Sequence, residues 1–567
     1  MQFTTPAVVT QAAVRRLPRL VLLGLCITYV FAGFLGRSPW KSADMTAMGY
    51  MAELHAGNSD WWNPTLFGVA SEQAALLPYW VGAWIMALAP SADAVQWMVR
   101  IPFGLFLALA MAATWYASYY LAKSPQAQPV VFAFGGQAKP ADYARTIADG
   151  GLLAFLACMG LAQLSHEITP ELVQLGFVAL LYYGVAALPY HFHRARLGVF
   201  IGLLGMVLSG APVLALVFGS GCTLLALLDG RLAQTGATVG TPPRSASKAI
   251  ALATLLGAGL ATALNLWRWK IDMPHALWVD WNGFAQLLVW FTWPAWPLSL
   301  WTLWSWRKQI RTRHISRHLA LPLWLASTTV IATLCTGASD RTLLLALPAM
   351  ASLAAFALPT LQRPMASLID WFTLLFFTGC GAIVWVVWIA MQTGVPSQPA
   401  ANVARLAPGF EPTFSASATG LALLTTLAWM GLVHWRAGRH RAALWRSLVL
   451  PAGGAVWCWT LLMTLWLPLL DYTQGYGRWV QLVKTELSSS GCVEAKGLGS
   501  GQVAALQVHG LLTLVASGAL VQCPWMLVQH TAQFELPATI DASLWSQKAL
   551  VRHPTDASDA VWVLKRR

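Results

Sequence analysis

Apolar runs long enough to cross about 30 Å of hydrocarbon as helices recur along nearly the whole chain. They are continuous rather than alternating, which excludes a membrane β-barrel and requires a helical bundle. We place about thirteen spans, near 17–36, 99–122, 150–165, 172–190, 197–209, 211–228, 249–266, 286–305, 320–337, 342–358, 369–392, 416–434 and 447–468. Residues 197–228 read either as a hairpin or as one span, because Ser209, Gly210, Ala211 and Pro212 offer only a minimal turn. Composition agrees with a polytopic membrane protein: of 567 residues, 57% are hydrophobic, only 10% are charged and 31 are Trp.

A net charge of +14 invites a nucleic-acid reading, but its distribution argues for topology. Arg15, Arg16 and Arg19 precede the first span, and basic residues then recur in alternate loops: Lys123, Lys139 and Arg145; Arg194 and Arg196; Arg231, Arg244 and Lys248. The series continues through Arg307, Lys308, Arg311, Arg313 and Arg317 to Arg436, Arg439, Arg441 and Arg446. The positive-inside rule therefore puts the N-terminus in the cytoplasm and, after an odd number of spans, the C-terminal segment outside. No nucleic-acid partner is expected. The basic residues before the first span mimic a signal peptide, but no small-residue cleavage site follows, so the span is expected to be an anchor.

Two parts follow from the loss of long apolar runs near the C-terminus: a membrane domain over 1–468, with a first outer loop at about 37–98, and an exported domain over 469–567. In the latter, Gln507, His509 and Gly510 interrupt the apolar stretch after residue 503, and short strand-like patterns flank it, so a small α/β domain is expected. Cys492 and Cys523 fall in this tail, where an oxidising compartment permits a disulfide between them. The other six cysteines lie in expected spans as packing residues. The loop 123–148 is expected to be a cytoplasmic connector without chemistry.

The chemistry is concentrated in the first outer loop, GRSPWKSADMTAMGYMAELHAGNSDWWNPTLFGVASEQAALLPYW, where Asp44 is a carboxylate just outside the first span. Asp44 also suits capping of the helix expected from about Met45. The loop continues with Asp60 and Trp61, Pro64, Gly68, Glu72, and finally Tyr79 and Trp80. That order and spacing resemble the GT-C membrane glycosyltransferases, and among them the bacterial aminoarabinose transferase and protein O-mannosyltransferase group. The segment around Ser209–Pro212 is similar to that group's Thr-Lys-Gly-Pro span, and CTGASDRTLLLALPAMASLAA, from Cys335, to its Ser-Lys-Arg segment. The resemblance covers about residues 35–360.

This resemblance implies an all-α polytopic GT-C domain with a small α/β extracytoplasmic domain, transferring a sugar from an undecaprenyl-phosphate-linked donor to a lipid or protein acceptor. Such a transfer needs a base for the acceptor and cations for the departing phosphate at the membrane face. Asp44 is expected as the base or acceptor-positioning carboxylate. In QLSHEITPELVQLGF, Glu171 or Glu167 stands where the group carries a second acid, although a first-turn acidic pair facing the helix dipole explains both equally. Arg341 matches the group's Arg and is the leading candidate for the donor phosphate. Arg268 and Lys270 lie on the same side, and snorkelling to the interface is the alternative for all three. Glu72 and Tyr79 belong to the substrate-binding loop.

Departures are specific. Met45 replaces the Glu that usually follows the first Asp, Gln73 and Ala74 stand where a Lys is usual, and the Lys of the Thr-Lys-Gly-Pro span is absent. Either another cation substitutes, the donor differs, or the chain is a silent prenyl-lipid-binding relative. The resemblance leaves a divalent metal near Glu72 open as cofactor, without a compact His, Asp and Glu set to hold it. His191 and His193 suit a solvated basic loop better than a metal site. Trp61, Trp62, Trp278 and Trp281 are candidate wall residues for sugar or prenyl chain, although interfacial Trp enrichment explains most of the 31 Trp. A flippase is the rival class; it predicts ionisable residues at mid-membrane depth, whereas nearly all charge here lies at span ends.

Overall fold

The computed structural model describes residues 5–233, 243–267, 281–311, 316–337, 339–437, 443–487, 491–517, 523–530, 540–541 and 543–567. Each expected span has a helical counterpart among the described residues, and nine of these helices are long and apolar enough to cross a bilayer on length and composition. Arg19–Phe34 and Phe192–Leu208 are shorter than those nine. The span expected at 286–305 is interrupted into Trp281–Phe291 and Ala295–Ser305, where Pro294 has no N–H to carry the ladder on. Phe192–Leu208 and Pro212–Ala233 form two helices, so the minimal turn makes a hairpin.

The third span needs correction. It was expected at 150–165 after a connector, yet the helix runs Pro140–Ala157. Pro140 starts it from the first helical position, where a missing N–H costs nothing, and Asp149 is accommodated by a hydrogen bond from the Trp115 indole (2.9 Å). The preceding connector is held by the N-terminal arm: Val130 N–H donates to the Ala7 carbonyl and Ala138 N–H to that of Val9.

Enclosure differs sharply between helices. The most apolar window of Arg363–Thr393 is 22% buried, leaving a face for lipid, whereas the windows of Pro170–Ala187 and Asp340–Thr360 are each 89% buried. The latter two are therefore central, and they present Glu171 and Arg341 at their first turns. Pro170–Ala187 packs closely on Phe192–Leu208 through glycine: a Cβ on Gly202 would lie 2.8 Å from the Leu181 nitrogen.

Beyond the last span, helices Leu467–Gln474 and Gly477–Glu486 lead to a five-stranded sheet ordered Leu514–Ala516, Val493–Lys496, Trp525–Gln529, Asp556–Arg566, Trp545–His553. The first three strands are parallel and the last two add antiparallel. Helix Ser500–Val508 follows the strand Val493–Lys496 and rests on helix Ala43–His55 of the first outer loop; a Cβ on Gly49 would lie 2.6 Å from that of Ala504. The fold is thus a polytopic helical membrane domain carrying an α/β domain at its C-terminal end.

Cys492 and Cys523 form a disulfide with Cα atoms 5.2 Å apart, tying the entries of two neighbouring strands. Thiol labelling of the denatured, unreduced protein should modify six of the eight cysteines, and eight after reduction; replacing the pair by alanine is expected to destabilise the domain by about 3–4 kcal/mol. Gly210 sits at φ +88°, and a Cβ there would lie 2.5 Å from the Gln73 carbonyl oxygen. Gly210→Ala is therefore expected to lower stability by about 1–3 kcal/mol, read as a lowered melting midpoint in detergent.

Candidate active site

The first outer loop is shaped by a buried ion cluster. Asp44 lies in the first turn of helix Ala43–His55 and is 1% exposed. Its Oδ2 accepts from the Trp40 N–H (3.1 Å) and from Arg37 Nη2 (3.2 Å), with Arg100 Nη2 at 3.7 Å. Its Oδ1 accepts from the Ile168 N–H (2.8 Å), which ties the loop to the segment carrying Glu167. Arg37 covers the Trp40 ring at 3.8 Å and donates to the His166 carbonyl. Trp40 in turn donates its indole N–H to Asp471 (2.7 Å). Burial holds the Asp471 carboxyl above its ordinary range, opposed by these donors from Trp40 and Ser38.

Above this cluster, a cavity of about 800 Å³ lies between the membrane domain and the C-terminal domain. Glu167, Glu171 and Arg341 line it on the membrane side, Tyr50, Glu72, Gln73 and Tyr79 from the loop, and Tyr476, Gln502, Asp556 and Asp559 from the C-terminal side. Glu167 and Glu171 stand one turn apart in sequence, and Arg341 reaches both: Nη2 to Glu167 Oε2 at 2.6 Å, and Nη1 to Glu171 Oε2 at 4.0 Å. Burial pushes the Glu167 carboxyl above the usual carboxylate range, with Arg341 opposing. Glu171 Oε1 accepts from the Gln73 amide (2.7 Å). Among the described residues, its Oε2 and Arg341 Nη1 are buried and find no hydrogen-bond partner. Behind Gln73, the Gln174 amide donates to the Ser209 carbonyl, and Leu76 N–H to that of Leu208. The Ser209–Pro212 turn thus buttresses the loop.

On the C-terminal side, the hairpin between Trp545–His553 and Asp556–Arg566 docks its tip on the segment that follows the last span and on the first outer loop. His553 Nε2–H donates to the Gly475 carbonyl, Thr555 to that of Thr473, and Lys41 Nζ pairs with Asp556 (2.7 Å). Gln502 bonds Asp559. Burial and the neighbouring Asp559 carboxylate hold the Tyr476 phenol above its ordinary range.

The sequence-derived residues divide clearly. Glu167, Glu171, Arg341, Glu72 and Tyr79 meet at one cavity, with the Tyr79 hydroxyl 3.1 Å from Ser71 Oγ and its ring stacked on Tyr50. Asp44 does not line it, because two guanidinium groups and two backbone N–H groups draw its carboxylate inward. Trp61 also lies off the cavity, in an exposed cluster with Trp62, Trp80 and Trp84 that suits a bilayer interface. Arg268, Lys270 and Trp278 lie outside the described residues. Among the described residues, no three His, Cys, Asp or Glu side chains come together as a metal site, so Glu72 has no companions for that role. Lys41, Arg37, Arg100, Asp471, Asp556 and Asp559 were not singled out from sequence. Lys41 and Arg37 sit within three to seven residues of Asp44 in the loop quoted above, while the three tail aspartates carry no local signal.

The site thus sets acids and an arginine at the ends of central helices beneath an α/β domain, in a polytopic GT-C fold. The chain is similar to the solved structure of ArnT from Cupriavidus metallidurans bound to undecaprenyl phosphate, at a TM-score of 0.59 and 12% identity, covering 96% of this chain and 97% of that one. The apo state of the same protein matches at a TM-score of 0.58, with the same coverage and identity. No protein-family model matches the chain, and no curated protein sequence matches it. The likeness shows the fold.

Asp44→Ala leaves Arg37 and Arg100 buried without their nearest counter-charge and is expected to destabilise the fold by about 3–5 kcal/mol. Glu171→Gln removes one of two adjacent carboxylates and should hold or raise the melting midpoint. Thermal unfolding of both variants in detergent checks the contrast.

Proposed function

We propose that the protein is an inner-membrane glycosyltransferase that moves a sugar from an undecaprenyl-phosphate-linked donor to a lipid A or other cell-envelope acceptor at the periplasmic face. The observation that carries this reading is the Glu171–Arg341 pair: a carboxylate oxygen and a guanidinium nitrogen, 4.0 Å apart at the cavity wall, neither with a hydrogen-bond partner among the described residues. Buried polar groups are normally satisfied, and exceptions concentrate where a substrate completes them. A hydroxyl set between two such atoms can donate to the first and accept from the second at ordinary distances.

In the reaction, the acceptor oxygen attacks the anomeric carbon and its proton passes to Glu171. The bond from that carbon to the phosphate oxygen breaks, and undecaprenyl phosphate departs carrying the negative charge. Glu167, gripped by Arg341 at 2.6 Å, holds the guanidinium in place. Arg341 supports charge on the phosphate side, the kind of electrostatic stabilisation that dominates such transfers. Asp44 is a positioning residue in this scheme, acting through the Ile168 N–H and Arg37 on the segment that bears Glu167. On this reading the N-terminus lies in the cytoplasm, as the distribution of basic residues favours, and the donor's prenyl tail stays in lipid beside the cavity.

The test uses membranes containing the full chain and an isotopically labelled undecaprenyl-phosphate sugar pool. Label should reach the lipid fraction with wild type and fall by about 100-fold or more with Glu171→Gln or Arg341→Gln. Label in protein instead would assign a protein acceptor to the same site. No transfer by the wild type, with lipid-linked sugar still bound, would overturn the reading in favour of a flippase or silent relative.

A further inference from the structure

The described residues that line the cavity include five carboxylates, those of Glu72, Glu167, Glu171, Asp556 and Asp559, against two cations, Lys41 and Arg341. An anionic phosphate entering this space meets an adverse field and needs a cation that can be given up by its present partner. Arg341 can offer only its Nη1, because releasing Nη2 from Glu167, whose side chain is 3% exposed, would strand a buried charge. Lys41 differs. Its partner Asp556 has a side chain 36% exposed, so water can replace the ammonium there.

The backbone holds Lys41 ready for this. Its N–H donates to the Gln474 carbonyl (2.6 Å), and Trp40 bridges to Gly475, so the root of the side chain is fixed at the cavity lip while its end meets the hairpin tip. We infer that Lys41 is the exchangeable phosphate-binding cation of this cavity, surrendering Asp556 for the phosphate of a prenyl-phosphate ligand. It thereby supplies a positive charge that Gln73 and Ala74 do not. The inference deepens the transferase reading and rests on it for the identity of the ligand.

Because Asp556 competes with the phosphate for Lys41, replacing the two partners has opposite effects on binding, which a merely structural ion pair would not produce. Undecaprenyl phosphate is titrated against the purified full-length protein by native mass spectrometry, with undecaprenol as the phosphate-free control. Lys41→Gln should weaken undecaprenyl phosphate binding by about tenfold or more, Lys41→Arg should restore most of it, and Asp556→Asn should tighten it severalfold. Undecaprenol binding should not respond to any of the three. Equal affinity of wild type and Lys41→Gln would overturn the inference and leave the transferase reading standing. Weakening by Asp556→Asn as large as that by Lys41→Gln would make the pair a strut for the hairpin and overturn it as well. A wild type that does not prefer undecaprenyl phosphate over undecaprenol would remove both the inference and the reading beneath it.

Discussion

Burying charge in this molecule is tolerable only because Asp44 lies between two arginines. Arg37 and Arg100 are 3% and 2% exposed, and Asp44 is 1% exposed. Each such ion loses several kcal/mol of hydration on burial, so the cluster holds only if its members stay together. One carboxylate cannot neutralise two guanidinium groups; Glu167 and Asp471 also act on Arg37 at longer range. The result is a charge network from Asp471 through Arg37 and Asp44 to Glu167 and Arg341. It crosses the first outer loop, the Glu167 segment and the end of a central helix, and makes their positions mutually dependent.

That network places the candidate site at the boundary of two media. Pro170–Ala187 and Asp340–Thr360 are enclosed by other helices along their length, so their outer ends are rigid platforms. The C-terminal domain reaches the same place from the opposite side, through Asp556 at the hairpin tip on Lys41 and through helix Ser500–Val508 on helix Ala43–His55. Gln507 donates to Glu53 (2.6 Å) across that contact. The cavity is therefore walled by charged side chains of both domains, Glu167, Glu171 and Arg341 from one and Asp556 and Asp559 from the other.

Spans were legible because hydrocarbon thickness and backbone hydrogen bonding leave few alternatives for a long apolar run. The third helix was misplaced because Asp142, Arg145 and Asp149 read as loop, while in the fold Trp115 donates to Asp149 and Gln11 to Asp142. Glu167, Glu171 and Arg341 stand out in the sequence because each lies at the end of an apolar run, where charge needs a reason. Their convergence was not, since 170 residues separate Glu171 from Arg341. Asp44 shows the opposite failure. Its position in the loop was plain, but its environment depends on Arg100, some fifty-six residues later, and on the Ile168 backbone. Lys41 and Asp556 lie at opposite ends of the chain, and only the docking of the tail brings them within 2.7 Å.

The departures from the GT-C motif gain a physical meaning from the same contacts. A lysine at position 73 would place an ammonium beside Glu171 and pair with its carboxylate. Gln73 instead gives one neutral hydrogen bond to Oε1 and leaves Oε2 facing Arg341 at 4.0 Å. The loop's cation at this cavity stands instead near its beginning, at Lys41, where it is paired with Asp556 across the domain boundary. Removing a cation from one wall and keeping one on another changes which carboxylate is free and which is paired, while the cavity keeps both signs of charge. Loss of a motif residue in this loop is therefore a redistribution of partners, and its consequence is read from the contacts of Glu171 and Lys41 rather than from the motif.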